Sequence, residues 1–269
     1  MNKLSPTLRL ILLGGVLLIA AAVLVSMLAE RKLTKTAAGL SAAEIEIARL
    51  LPDLAGKKRK ATARKIDDIV NRNDDSGPVL RVAMMVYSAA GMYEEAVKIG
   101  ESYLERADSG KLRPKPIPKD VAVVASTMGM ACSEIGEDDR ALEYTERALK
   151  AFPNNPTYLN NLGYFLADQD KDIPRALKLT RRAVKLSPSN PSFIDSYGWA
   201  LYKSGRYKEA LAQLARATEL APNSAEVRYH LGAAYVKLDR IAEARIELKK
   251  SLIIEETPEA RKLLKLIER

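Results

Sequence analysis

Four glycines recur through the second half of the chain at a nearly fixed interval. Gly129, Gly163, Gly198 and Gly232 are separated by 34, 35 and 34 residues, and each follows Met128, Leu162, Tyr197 or Leu231. Twelve or thirteen residues beyond each comes an alanine: Ala141, Ala176, Ala210 and Ala244. A second small residue follows seven positions later, as Ala148, Ala183, Ala217 and Ser251, and Pro153, Pro188 and Pro222 close the first three units. An interval of this length marks stacked supersecondary units. Small residues let two antiparallel helices approach where they cross, and proline stops the second helix before the next unit begins. Aromatic residues make up only 6% of the 269 positions, which weighs against a β sandwich or barrel and leaves an all-α class. A single cysteine, Cys132, and a single histidine, His230, exclude an intrachain disulfide and a Cys/His zinc cluster.

This pattern resembles the tetratricopeptide repeat family, in which W-x2-L-G-x2-Y is followed by two alanines and a proline. Leu159, Leu162, Gly163, Ala176, Ala183 and Pro188 meet it in one unit. The next supplies Gly198, Gly205, Tyr207, Ala210, Ala217 and Pro222, and the last supplies Leu231, Gly232, Tyr235 and Ala244. A weaker early unit has Met84 at the glycine position, then Tyr87, Gly91, Tyr93 and Ala96. The resemblance implies an α-solenoid of five helix pairs over 77–258, divided as 77–110, 122–155, 156–190, 191–224 and 225–258, with a capping helix in 259–269. Between the first two units, Lys111 to Lys119 carries Pro114, Pro116 and Pro118, and alternate prolines favour an extended strap. Three departures stand out: one extra residue near Asp172, Met84 in place of glycine, and no closing proline in the fifth unit. The last 120 residues or so are also similar to bacterial envelope-associated repeat proteins of the pilus-assembly and exopolysaccharide-export kind.

The front of the chain differs. Leu10 to Ala29 is a run of 20 residues without a charge, preceded by a short tail at 1–9. At about 1.5 Å per residue such a run spans roughly 30 Å, the thickness of a bilayer core. A cleaved secretory signal would carry a shorter apolar region and small residues before the cut, whereas Met27 and Leu28 stand there, so a retained single transmembrane helix at 10–29 is expected. Lys3 and Arg9 before the span against Arg31, Lys32 and Lys35 after it do not decide orientation. A bacterial inner-membrane anchor with the repeats on the periplasmic side is the expectation, with a cytoplasmic domain as the alternative.

Residues 1–72 hold 13 Lys/Arg against 6 Asp/Glu, so +7 of the net +9 lies near the expected membrane. Lys57, Lys58, Arg59 and Lys60 could meet anionic lipid headgroups, at about 1 kcal/mol each, or form the solvated face of a helix. No aromatic residues interleave with them and no nucleic-acid motif is present, so a nucleic-acid partner is not expected. Pro52 and Gly56 divide 30–76 into helical stretches near 41–51 and 57–72, read as a basic helical neck or a degenerate repeat.

In stacked helix pairs the first helices line a concave surface. Counting from the repeat glycines places Asn160, Asn161, Tyr164, Asp195, Ser196, Trp199, Tyr202, Tyr229, His230 and Lys237 on it. Such tyrosines, tryptophan and amides suit an extended peptide, while the same residues could equally pack neighbouring repeats, with Trp199 as filler and Asp195 to His230 as a local polar contact. The family mode that clamps a chaperone's C-terminal carboxylate is not expected. Its positions here are Ser126, Met130, Asn161, Ser192 and Ser196, which offer one amide and no cation. No nucleophile with its base, phosphate-cradling loop or metal cluster is visible, so catalysis, cofactors and metals are not expected, and Asp195 with His230 is the one acid/base pair near a surface. The expected role is a membrane-anchored scaffold that binds other proteins in an envelope assembly. The alternative is a constitutive structural subunit that uses its convex face and transmembrane helix.

Overall fold

The computed structural model describes residues 40–56 and 58–268. Among these, regular structure is helical apart from an isolated bridge between Ser76 and Arg113. No helix among the described residues is long and apolar enough to cross a membrane; the expected span at 10–29, the tail before it and Lys57 lie outside them. The chain divides into two compact units at Pro153.

The first unit contains α1 (Ala42–Arg49), α2 (Leu51–Leu54), α3 (Arg59–Arg72), α4 (Gly77–Ala89), α5 (Tyr93–Asp108), α6 (Pro118–Glu134) and α7 (Asp138–Ala151). A capping box starts α1: Ser41 Oγ accepts from the Glu44 N–H at 3.3 Å, and Glu44 Oε2 accepts from the Ser41 N–H at 2.8 Å. Pro52 opens the short α2 instead of only interrupting the chain, because a proline in the first turn lacks an N–H that has no helical partner anyway. Ile47, Leu54, Ile66 and Ile69 are buried and α1 packs on α4, so residues 42–72 are folded onto the first recognisable helix pair. The proline strap stays out of helix through Ile117, and the Arg113 N–H donates to the Asp75 carbonyl at 2.7 Å. Pro118, however, takes the first position of α6, so the second pair begins four residues before the expected 122.

The second unit contains α8 (Pro156–Asp168), α9 (Ile173–Leu186), α10 (Pro191–Lys203), α11 (Tyr207–Leu220), α12 (Ala225–Lys237), α13 (Ile241–Ile254) and α14 (Pro258–Ile267). Asn155 and Asn190 cap α8 and α10, each accepting two backbone N–H bonds at 2.9–3.3 Å just before a proline that pre-sets the helical φ. Within this unit each first helix packs on its own second helix and on the first helix of the next pair, and α14 lies against α12 and α13.

The periodic glycines mark where paired helices cross. A Cβ built on Gly163 would lie 2.7 Å from Thr180 Cγ2 and 3.1 Å from Leu179 Cβ and the Thr180 nitrogen; one on Gly198 would lie 2.7 Å from Leu214 Cγ. The first pair reverses the arrangement. Met84 stands at the glycine position, and the position facing it, four residues after Ala96, is Gly100, where a Cβ would meet Met84 Sδ at 3.1 Å and Met128 Cγ at 2.5 Å. The large and small partners have exchanged helices, so the departure at Met84 preserves close approach.

Each pair also turns in one way. At the end of α10, Gly205 adopts φ 79° and the Arg206 N–H reaches back to the Leu201 carbonyl at 2.9 Å, a helix stop that needs a left-handed residue. Asp239 (φ 58°) and Asp170 (φ 52°) hold the same register after α12 and α8, a backbone region that L residues other than glycine, asparagine and aspartate rarely enter. The extra residue in the third unit is absorbed here: Asp172, also left-handed at φ 38°, caps α9 by accepting from the Arg175 N–H at 3.1 Å.

Candidate functional site: an aromatic platform over an acidic cluster

In the second unit, α8, α10 and α12 lie side by side and their facing side chains interlock. The Trp199 ring stacks on Tyr202, three residues later on the same helix face (centroids 4.7 Å apart, planes 5° apart), and on His230 from α12 (4.1 Å, 17°). Tyr229 tilts toward it at 6.1 Å. Trp199 Nε1 donates to Asp168 Oδ1 at 3.3 Å. Lys203 Nζ lies 5.4 Å from the same ring and donates to the Asp168 carbonyl at 3.0 Å and to Asp170 Oδ2 at 2.8 Å.

Beneath this platform, His230 Nδ1 lies 3.0 and 3.1 Å from the two Asp195 carboxylate oxygens. The Tyr164 hydroxyl donates to Glu226 Oε1 at 2.7 Å, a bond that reaches from α8 to α12 across the intervening α10. The first and last of the three helices are thereby tied over the middle one.

Burial separates the expected groove residues into two sets. Asn160, Asp195, Ser196, Trp199 and His230 are at most 6% exposed and form the floor, which matches the packing reading of Trp199 and of the Asp195 to His230 contact. Ser196 Oγ donates to the Ser192 carbonyl at 2.9 Å. Asn161, Tyr164, Tyr202 and Tyr229 are half-buried, and Lys237 is exposed. Asn160 Oδ1 is buried without a hydrogen-bond partner. In the first unit Lys58, Arg59 and Lys60 are exposed, with Arg59 Nη2 donating to the Gly91 carbonyl at 3.2 Å.

The cluster carries surplus negative charge. Burial alone would lower the His230 pKa, but the Asp195 carboxylate outweighs it, with Glu226 and Asp168 beyond, so the net shift is upward. Burial raises the Glu226 pKa; Asp195 and Asp168 add to this and His230 opposes it. Burial, and then Glu226, also holds the Tyr164 hydroxyl protonated well above its ordinary range. His230 and Asp195 have the contacts of an acid/base pair, yet stacking on Trp199 and near-complete burial deny them to a substrate.

Glu226, Asp168 and Lys203 do not stand out in the sequence. Glu226 lies four residues before His230 and so shares its helix face, a spacing that points to it in retrospect; Asp168 and Lys203 read simply as polar helix ends.

Paired antiparallel helices crossing at glycine, repeated with first helices side by side, define a helical repeat protein of the solenoid type. The tetratricopeptide repeat model matches residues 134–191, and that of anaphase-promoting complex, cyclosome, subunit 3 matches 169–251. The matched stretches lie within the repeats read from the sequence and support their likeness to the tetratricopeptide repeat. No curated protein matches it. Among solved structures it is similar to TTC0263, a thermophilic TPR protein of Thermus thermophilus, at 20% identity and TM-score 0.54, covering 70% of this chain and 96% of that one. It is similar to a double mutant of MamA RS-1 at 19% identity and TM-score 0.50, covering 66% and 94%. YrrB, described as a TPR protein with an unusual peptide-binding site, aligns at 22% identity and TM-score 0.49 over 76% of this chain and 99% of its own. The first two likenesses bear on the fold.

Proposed function

We propose that this chain is a single-pass, membrane-anchored scaffold that holds extended segments of partner proteins on the platform of its second unit, for the assembly or stability of a bacterial envelope complex, and that it performs no chemistry of its own. Tetratricopeptide repeat proteins serve as protein-interaction scaffolds, which sets the general class. One observation carries the finer reading: Tyr202 and Tyr229 are half-exposed on a Trp199 ring fixed by Asp168 and His230. Rings already held in place lose little entropy when a partner covers them, and their hydroxyls can bond its backbone. The charge-free run at 10–29 supports the anchor, and the exposed Lys58, Arg59 and Lys60 support contact with lipid headgroups. Our reading puts the repeats on the periplasmic side of the inner membrane, with the cytoplasmic side as the alternative. Protease accessibility in intact spheroplasts tests that side: digestion of the repeats supports it, and protection favours the cytoplasm.

A second reading, permanent packing through the outer face, draws on exposed Leu186, Leu220, Ile246 and Ile253 of the second helices α9, α11 and α13. Photo-crosslinkers placed at Tyr202 and Tyr229, and in parallel at Leu186 and Leu220, separate the two in cells. Adducts from the tyrosine positions support the platform, and adducts from the leucine positions alone support the outer face.

A further inference from the structure

The geometry points to a divalent metal site formed by Asp195, Glu226 and His230, which would clasp α10 to α12 beneath the aromatic platform. The three side chains present one ligand atom each within 4.8 Å of one another. Bonds of about 2.0–2.1 Å in a tetrahedral shell put ligands about 3.4 Å apart, so side-chain movements of about 1 Å would close the set. The placement follows from the fold. Glu226 and His230 are one helical turn apart on α12, and Asp195 faces them from α10 with its oxygens already at 3.0 and 3.1 Å from His230 Nδ1.

Charge supplies the independent reason. Two carboxylates, with Asp168 nearby, face a single imidazole, and among the described residues no lysine or arginine pairs with Asp195 or Glu226. The Glu226 bond to the Tyr164 hydroxyl brings it no positive charge. Asp195 is buried and Glu226 half-buried, and two anions so placed are costly without a cation. The same helix wall also holds the buried, unpartnered Asn160 Oδ1, three residues before Gly163 as Asp195 is three before Gly198. One imidazole with two carboxylates and no thiolate suits first-row divalent ions such as Zn2+, Co2+ or Mn2+, and three protein ligands leave a fourth position for water.

Trp199 provides the readout, since it is the one tryptophan of the chain and stacks on His230 with centroids 4.1 Å apart. The full chain, purified in detergent without a polyhistidine tag and treated with chelator, is titrated with Co2+, a paramagnetic quencher. The expected result is saturable quenching of Trp199 fluorescence at one equivalent, reversed by diamagnetic Zn2+. Glu226→Gln, which keeps the shape and the helical circular dichroism, is expected to weaken Co2+ binding at least about tenfold, since even outer-shell changes cost about that much. His230→Gln serves as a second variant if the first disturbs folding. Quenching that never saturates, or that keeps its affinity in both variants, overturns the assignment.

Discussion

Gly163→Ala tests the packing rule on which the repeat is built. In an exposed helix interior this change is favourable by about 0.8–1 kcal/mol, because alanine has the higher helix propensity. Here the new Cβ would lie 2.7 Å from Thr180 Cγ2, and 3.1 Å from both Leu179 Cβ and the Thr180 nitrogen. The last two atoms belong to the backbone or are fixed to it and cannot rotate away, so α8 and α9 must separate. Overpacking of this kind costs about 1–3 kcal/mol, and two immovable contacts put this site near the upper end, for a net loss of about 2 kcal/mol. That corresponds to a Tm about 4–8 °C lower, read from the helical circular dichroism on heating. Thr180→Ser removes only the methyl while keeping the hydroxyl that donates to the Ala176 carbonyl at 2.8 Å, and it should return roughly half of the loss in the double variant. A Tm for Gly163→Ala equal to or above that of the parent refutes the close crossing, whatever the double variant does.

Asp239→Gly should raise stability by about 0.5–1 kcal/mol and Gly205→Ala should lower it by about as much, because both positions need a left-handed backbone; thermal melts of the two variants check the opposite signs. Tyr164→Phe should cost about 1–3 kcal/mol in urea unfolding, since it leaves the half-buried Glu226 carboxylate without its donor, and a neutral result would show that the α8 to α12 tie is idle. Burial lifts the Cys132 thiol to about 11, so it should not react with a disulfide reagent near pH 8 until denaturant is added; rapid labelling of the folded chain contradicts its placement in α6.

The repeats were readable because the residues that set their period are fixed by geometry: Gly163 and Gly198 by helix approach, Pro156 and Pro191 by the backbone of a first turn. Met84 read as a defect until the structure put Gly100 opposite it, since compensation between helices has no fixed spacing in sequence. Asp170 and Asp239 as left-handed turn residues were hidden for a similar reason, because aspartate there looks like an ordinary polar loop residue. The platform was half legible. Periodicity put Trp199, Tyr202, Tyr229 and His230 on one wall, but the partner of Tyr164 lies 62 residues away, and no local pattern announces it.

On the reading proposed above, partner proteins are held on the half-exposed tyrosines over Trp199. The most direct test of that reading is the affinity of a crosslinked and identified partner for the parent chain, for a Tyr202→Ala, Tyr229→Ala double variant, and for a Leu186→Ser, Leu220→Ser double variant. The tyrosine pair should lose at least about 2 kcal/mol of binding, on the scale of an interface hot spot, while the leucine pair should bind as the parent does. Unchanged binding by the tyrosine variant, with loss in the leucine variant, would contradict the reading.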